Sequence, residues 1–252
     1  MHPDLRPKIH LRARQLRNLI GACLLGLFGW HAPLQGASFK GILIQTGGQA
    51  GEIEKNVAAL LGEQISEPSG VPVRIESELT GGVPSPDELL ILLGLPKHHA
   101  GIRAQFDARR IPPLTGLAPG PEGFLVQTVR RGSNFLVLAA GVDARGVLYA
   151  AGEILRHSAI GQSSVMFPVE LAVRTAPAFE IRGTQFGQSS VAINRAKVRP
   201  WTEADRRRAI LDFALAGMNT VEIGEGTRTD DPMIDLPVSS TRFALLKSRA
   251  DC

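Results

Sequence analysis

A single strand–helix–strand step near the end of the chain places the tightest limit on its fold. Pro177-Ala178-Phe179-Glu180-Ile181-Arg182-Gly183-Thr184-Gln185-Phe186 is expected to form a strand that opens a new domain. Thr202 to Ala216 follows with a helical pattern, Thr202 as cap and Asp205 three residues on, and Gly217 stands at the C′ position. Asn219 to Ile223 supplies the next strand. Parallel strands joined by a helix need cover on both faces, and a closed barrel takes about eight such units. The sequence therefore predicts one β/α unit over 176–226, too little to close a barrel, and a poorly ordered polar tail over 227–252.

Residues 39–175 are expected to form a separate α/β domain, an α+β arrangement of a sheet with two packing helices. Gly41 to Gln45 has β character and is closed by Gly47-Gly48. From Ala50 to Ile65, the residues Ile53, Val57, Leu60, Leu61 and Ile65 recur with a helical period. Glu52 and Glu54 stand in its first turn, where the helix dipole favours acids, and Ser69-Gly70 ends the segment. Val71 to Glu76 alternates like a half-buried strand, Gly81 to Pro86 is a loop, and Glu88 to Gly94 is a buried strand. Gly101 to Arg109 is a short helix, and three prolines make Ile111 to Gly120 a loop. Gly123–Val129 and Asn134–Ala140 form a hairpin across Arg130-Arg131-Gly132-Ser133. Asp143 caps a helix from Ala144 to His157, and Pro168 to Val173 is the last strand of the domain.

Ahead of this domain, residues 1–38 have the layout of a secretory signal. Arg6, Lys8, Arg12, Arg14 and Arg17 face a single acid, Asp4, and an apolar core runs from Asn18 to Trp30. That core is too short to span the ~30 Å hydrocarbon layer comfortably. Small residues Gly36-Ala37-Ser38 follow Pro33, which places cleavage near Ser38 or Phe39. The chain is accordingly expected to be exported, periplasmic or extracellular, with no membrane contact after signal removal; an inner-membrane signal anchor is the alternative. The formal charge of +4 comes from this leader, so the basic balance is no argument for nucleic acid. Cys23 and Cys252 are the two cysteines, and loss of the leader leaves one thiol and no internal disulfide. Export without disulfides fits a bacterial periplasm.

Three segments in succession carry a family resemblance: Pro121-Glu122-Gly123-Phe124-Leu125-Val126, then Ala139 to Gly152, then Phe179-Glu180-Ile181-Arg182-Gly183. Their order and spacing resemble the non-catalytic N-terminal domain of bacterial β-hexosaminidases (glycoside hydrolase family 20) and of α-glucuronidases (family 67), followed by the start of the catalytic barrel. The resemblance covers roughly residues 40 to 226. It implies a carbohydrate partner, such as xylan or an amino-sugar polymer, and hydrolysis by carboxylates or a substrate-assisted variant in complete relatives. It also implies a sugar-binding role for Arg182. The catalytic acids of either family lie further along the barrel and no residue here matches them, so no catalytic residue is assigned. The chain is expected to be inactive alone. The alternative is a non-catalytic carbohydrate- or partner-binding module, self-associating through the exposed barrel unit at Ile210, Phe213 and Val221.

The candidate substrate contacts are Arg182, Glu222 and Glu225. A guanidinium on a barrel strand holds sugar hydroxyls through paired hydrogen bonds, and the bland alternative is a structural pair with Glu180 or Glu222. Glu222 and Glu225 lie in and just after the second strand, toward the end where barrel sites gather. Acids three positions apart beside one strand replace poorly a pair set about 5 to 10 Å apart on different strands, and solvated strand-end acids are the simpler reading. Gly47-Gly48-Gln49-Ala50-Gly51 has G-G-x-x-G spacing, with Glu76 in the position of a ribose acid; a tight strand-to-helix turn is favoured and no cofactor is assigned. His98-His99 lacks a third ligand nearby, so no metal is assigned. Gly161-Gln162-Ser163-Ser164-Val165 recurs at 187–191 without a nucleophile elbow and is treated as coincidence. Asp143 and Tyr149 are expected to be a helix cap and a core aromatic.

Overall fold

A computed structural model of the chain describes residues 36–131, 134–186 and 202–223. In chain order its first half contains β1 (Gly36–Phe39), β2 (Gly41–Thr46), α1 (Glu52–Ser69), β3 (Val73–Ser77), β4 (Glu88–Gly94) and α2 (Ala100–Arg109). The second half contains β5 (Phe124–Arg131), β6 (Asn134–Gly141), α3 (Ala144–His157), β7 (Ala159–Gly161), β8 (Ser164–Pro168) and β9 (Ala172–Thr175). The unit β10 (Gly183–Phe186), α4 (Glu203–Leu215) and β11 (Thr220–Ile223) follows.

A mixed sheet of six strands, ordered β3-β2-β4-β6-β5-β9, organises the domain. Strands β3, β2, β4 and β6 run parallel, with Ile44 opposite both Ile75 and Ile91 and Leu92 opposite Leu138. Strand β5 then pairs antiparallel with β6, and β9 antiparallel with β5. The inner strands β2, β4 and β6 are apolar along nearly their whole length because helices cover both faces, whereas the edge strand β3 is half exposed. Ile42, Ile44, Leu89, Ile91, Leu93, Val137 and Ala139 share a core with Val57, Leu61 and Ile65 of α1 and Val147, Ala151 and Ile154 of α3. Their neighbours Leu43, Leu90, Leu92, Leu136 and Leu138 point the other way, onto Ile102 and Phe106 of α2. Burial of those two α2 side chains contributes on the order of 1.5–3 kcal/mol each and fixes an otherwise polar helix.

The caps behave as local chemistry dictates. The Gly146 amide donates to Asp143 Oδ1 at 2.9 Å, which starts α3. Thr202 and Asp205 reciprocate at the start of α4, with the Thr202 amide on Asp205 Oδ2 at 2.8 Å and the Asp205 amide on Thr202 Oγ1 at 3.1 Å. Gly70, at φ 68°, and Gly217, at φ 96°, take the left-handed positions that end α1 and follow α4.

Several sequence expectations need correction. Only Gly183–Phe186 of the segment beginning at Pro177 is strand. Residues 177–182 form a loop, because the amide of Arg182 is taken by the Asn219 side chain at 3.0 Å rather than by a neighbouring strand. The expected strand Pro168–Val173 is two strands with a bend between them: β8 ends at Pro168 and β9 resumes at Ala172. Pro168 has no N–H to extend a ladder, and the chain passes there from one sheet to another. The pass from Gly161 to Ser164 is a tight turn with Ser163 at φ 62°, which accounts for the first of the two similar segments; the second, 187–191, lies outside the described residues. Strands β1 and β8 were not expected at all. With β7 they form a three-stranded antiparallel sheet whose Phe39, Val165 and Phe167 join the α1/α3 core. Residues 36–38, given to the leader from sequence, are thus part of β1, paired with Met166, Phe167 and Pro168.

The parallel pair β10–β11, with Thr184 opposite Val221, and the connecting α4 form one β/α step. Helix α4 lies against α3. A Cβ on Gly152 would stand 1.8 Å from the Leu215 carbonyl oxygen, so the two backbones meet where α3 has no side chain.

Candidate functional site

The loop between β9 and β10 closes over the turn that leads into β5, leaving a cleft of about 600 Å³ lined by Glu122, Arg145, Phe179, Glu180, Ile181 and Arg182 among others. Glu122 precedes β5 in the left-handed region, at φ 57°, which a glutamate adopts only when its surroundings hold it. Its amide donates to Asp143 Oδ2 at 2.9 Å, so the carboxylate that caps α3 also fixes this turn. Arg145, in the first turn of α3, donates to Glu122 Oε1 at 2.5 Å.

Arg182 completes the cluster. Its Nη2 donates to Glu122 Oε2 and, at 2.8 Å, to the Tyr149 hydroxyl. Its Nε donates to the Gly217 carbonyl at 2.7 Å, and Nη1 donates to the carbonyls of Phe179 and Glu180. These five acceptors match the five N–H groups of a guanidinium. The charge also lies over the buried Tyr149 ring, 5.4 Å from its centroid. Burial works against ionisation of Glu122, yet the hydrogen bonds from Arg145 and Arg182 hold its carboxyl below the ordinary range. Such a group is a poor proton donor at neutral pH. Burial, with the Glu122 charge nearby, pushes the Tyr149 hydroxyl up, so it stays protonated.

Arg182 and Asn219 stand at the amino ends of β10 and β11. The Asn219 side chain accepts from the Arg182 amide and donates to the Glu180 carbonyl at 2.7 Å. The cleft is therefore at the amino end of this β/α step, whereas barrel active sites collect at the carboxyl end. Glu222, opposite Gln185, is inside β11. Glu225 lies outside the described residues. Of the structural partners expected for Arg182, Glu180 contributes its carbonyl, and the carboxylate comes from Glu122 instead. Sequence reasoning placed Glu122 only within a resemblance segment. Its left-handed turn after Pro121 and its distance of 60 positions from Arg182 gave no local signal.

A second polar cluster occupies the carboxyl ends of β2 and β4, where the sheet order reverses. In open α/β sheets this crevice takes ligands. Here the chain's own carboxylates fill it. The Gly48 and Ala100 amides donate to Glu78 Oε1 at 2.9 and 3.0 Å, and the Gly101 amide to Oε2 at 3.0 Å. Buried His99 sets Nδ1 2.8 Å from the same carboxylate and Nε2 3.2 Å from the Gln45 carbonyl. Burial opposes the Glu78 charge, but the three amides and His99 hold its carboxyl at about 2. Glu54, 3 % exposed, accepts from the amides of Leu95 and Gly51, each at 2.9 Å, and lies 2.6 Å from His98 Nδ1. Against the burial cost, these contacts keep the Glu54 carboxyl below its usual range.

The glycine loop thus has a packing explanation. A Cβ on Gly47 would stand 2.2 Å from the His98 carbonyl oxygen, and the Gly48 amide that would face a phosphate faces Glu78. Glu76, the imagined ribose acid, is ion-paired to Arg74 at 2.5 Å. His98 and His99 diverge to different carboxylates. No group of three or more ligating side chains is placed for a metal among the described residues.

No protein-family model matches the chain, and no curated protein matches it. Solved structures do. The chain is similar to CpGH84B and CpGH84D, each with a TM-score of 0.51 at 14% identity over 85% of this chain, covering 32% and 33% of theirs. It also aligns with the Streptomyces plicatus β-hexosaminidase in complex with GlcNAc, at a TM-score of 0.44 and 12% identity, over 75% of this chain and 31% of that one. The chain spans about a third of the length of these proteins. The likeness to the first two is one of fold, a mixed α/β arrangement.

Proposed function

We propose that this chain is an exported, glycosidase-related protein of carbohydrate metabolism that binds saccharide and does not hydrolyse it. The α/β domain serves as an accessory domain, and β10–α4–β11 is the first unit of a barrel whose catalytic acids are not among its residues. The observation that carries the reading is the use of Arg182. Every N–H of the residue expected to hold sugar is directed to a partner within the chain, at the amino end of the strand. The fold shared with CpGH84B supports the carbohydrate assignment. Among the described residues no helix is long and apolar enough to cross a membrane. The test is an assay of the purified chain on aryl glycosides of N-acetylglucosamine and glucuronic acid, beside retention on insoluble chitin and xylan. Retention without turnover is expected. Turnover above background overturns the non-catalytic assignment, and no retention on either polymer overturns the saccharide-binding one.

A further inference from the structure

We propose that the cleft at the junction of the β5 turn and the β9–β10 loop is a binding site for an uncharged pyranose oligosaccharide, distinct in position from the carboxyl end of the β/α step. The inference rests on the saccharide-binding reading above and gives it a location.

Its size, about 600 Å³, lies in the range of small-molecule sites, roughly 300–1,000 Å³. The lining joins one flat apolar face to a few open polar groups. Phe179 is 74% exposed and Ile181 77%, so two large apolar side chains of the cleft lining are open to solvent. A pyranose ring offers C–H-rich faces and hydroxyl-bearing edges, which suits an aromatic face flanked by donors and acceptors. The donor is Arg145. Its side chain is 62% exposed, one arm is held by Glu122, and its other N–H groups have no hydrogen-bond partner among the described residues. The acceptor is the exposed Glu180 carboxylate, whose backbone is pinned by Asn219 and Arg182 while its side chain has no partner among the described residues.

The charge pattern selects an uncharged ligand. Arg145 and Arg182 balance Glu122 and Glu180, so the lining offers no net attraction to an acidic or basic sugar. The frame is also rigid where it needs to be. Arg182 fixes the carbonyls of Phe179 and Glu180, and Glu122 keeps its left-handed turn. Preorganised loops lose less on binding a flexible ligand.

The test titrates the full chain with chitotriose, xylotriose and, as an anionic comparator, trigalacturonate, alongside the Phe179→Ala, Arg145→Ala and Leu117→Ala variants. Phe179 is exposed, so its truncation leaves the fold intact, which a thermal melt checks; Leu117, 96% exposed and outside the cleft, is the control. One neutral trimer is expected to bind, with Phe179→Ala and Arg145→Ala each weakening it about tenfold, about 1.4 kcal/mol, and Leu117→Ala leaving it unchanged. Binding that Phe179→Ala leaves unaltered overturns the cleft while the broader function stands. Preference for trigalacturonate overturns the uncharged class. No binding of any trimer, together with no retention on chitin or xylan, overturns both.

Discussion

Arg182, ahead of β10, and Glu122, in the turn ahead of β5, form an ion pair that fastens the β10–α4–β11 step to the six-stranded domain. The two side chains are 17% and 16% exposed, and Tyr149 closes the pair from the α3 side. A pair so enclosed costs most when one member is removed, because the other keeps its desolvation without its partner.

Arg182→Ala is therefore expected to destabilise the chain by about 3 kcal/mol, and Arg182→Lys by a comparable share, since an ammonium cannot serve five acceptors. Urea melts followed by circular dichroism measure both. A lysine variant as stable as the parent would show that the fork geometry is dispensable.

Gly152→Ala addresses the other fastening. A methyl group there meets the Leu215 carbonyl, which also accepts from Arg156 Nη1 at 3.2 Å. The α3–α4 approach has to open, at a cost of roughly 1–3 kcal/mol. Limited proteolysis and hydrogen exchange should show α4 and β11 loosened, with β4 and β6 protected as before. Uniform loss of protection would mean that the β/α step and the sheet domain unfold together.

Acid should act through the cluster at the carboxyl ends of β2 and β4. Glu78 is held at about 2 against an ordinary 4.5, so its contribution, about 3 kcal/mol, is complete above the ordinary value and disappears as pH falls from about 4.5 to 2. Burial pushes the His99 imidazole below its usual 6.5, against the pull of Glu78, so the unfolded chain takes that proton first and stability begins to fall below about pH 6.5. Melting temperatures should drop in the order pH 7, 5, 3. In Glu78→Gln the step between about 4.5 and 2 should flatten, with a lower melting temperature at pH 7. An unchanged acid limb would assign the loss to other carboxylates.

Strand β1 makes the start of the folded domain measurable. Gly36, Ala37 and Ser38 pair with Pro168, Phe167 and Met166. A chain beginning at Gly36 should melt several degrees above one beginning at Phe39. Limited proteolysis followed by mass spectrometry should leave a stable core whose first residue is at or before Gly36. Equal stability of the two truncations would make β1 dispensable.

Much of the sheet domain is legible in the residues themselves. Glu88–Gly94 and Ala144–His157 form as their patterns predict, because the apolar run from Leu89 to Leu93 and a capped helix with one apolar stripe have few alternatives. The strands β1, β7 and β8 were not, since each is short and gains its order only by pairing with the others. The stretch from Phe179 to Ile181 shows the opposite error. Its β-type composition predicts a strand, but Arg182 and Asn219 hold it as a loop and leave Phe179 in solvent.

Local pattern determined the longer helices and inner strands, the caps at Asp143 and Thr202, and the mixed α/β class, because these depend on spacing over a few residues. Only the tertiary structure decided what the charged side chains do. Glu122 and Arg182, 60 positions apart, meet across two elements; Glu78 takes the amides of a glycine loop 30 positions before it and a helix start 22 after it. Long-range electrostatic pairing leaves no periodic trace in a sequence. It gave Arg182, the expected sugar contact, five acceptors within the chain.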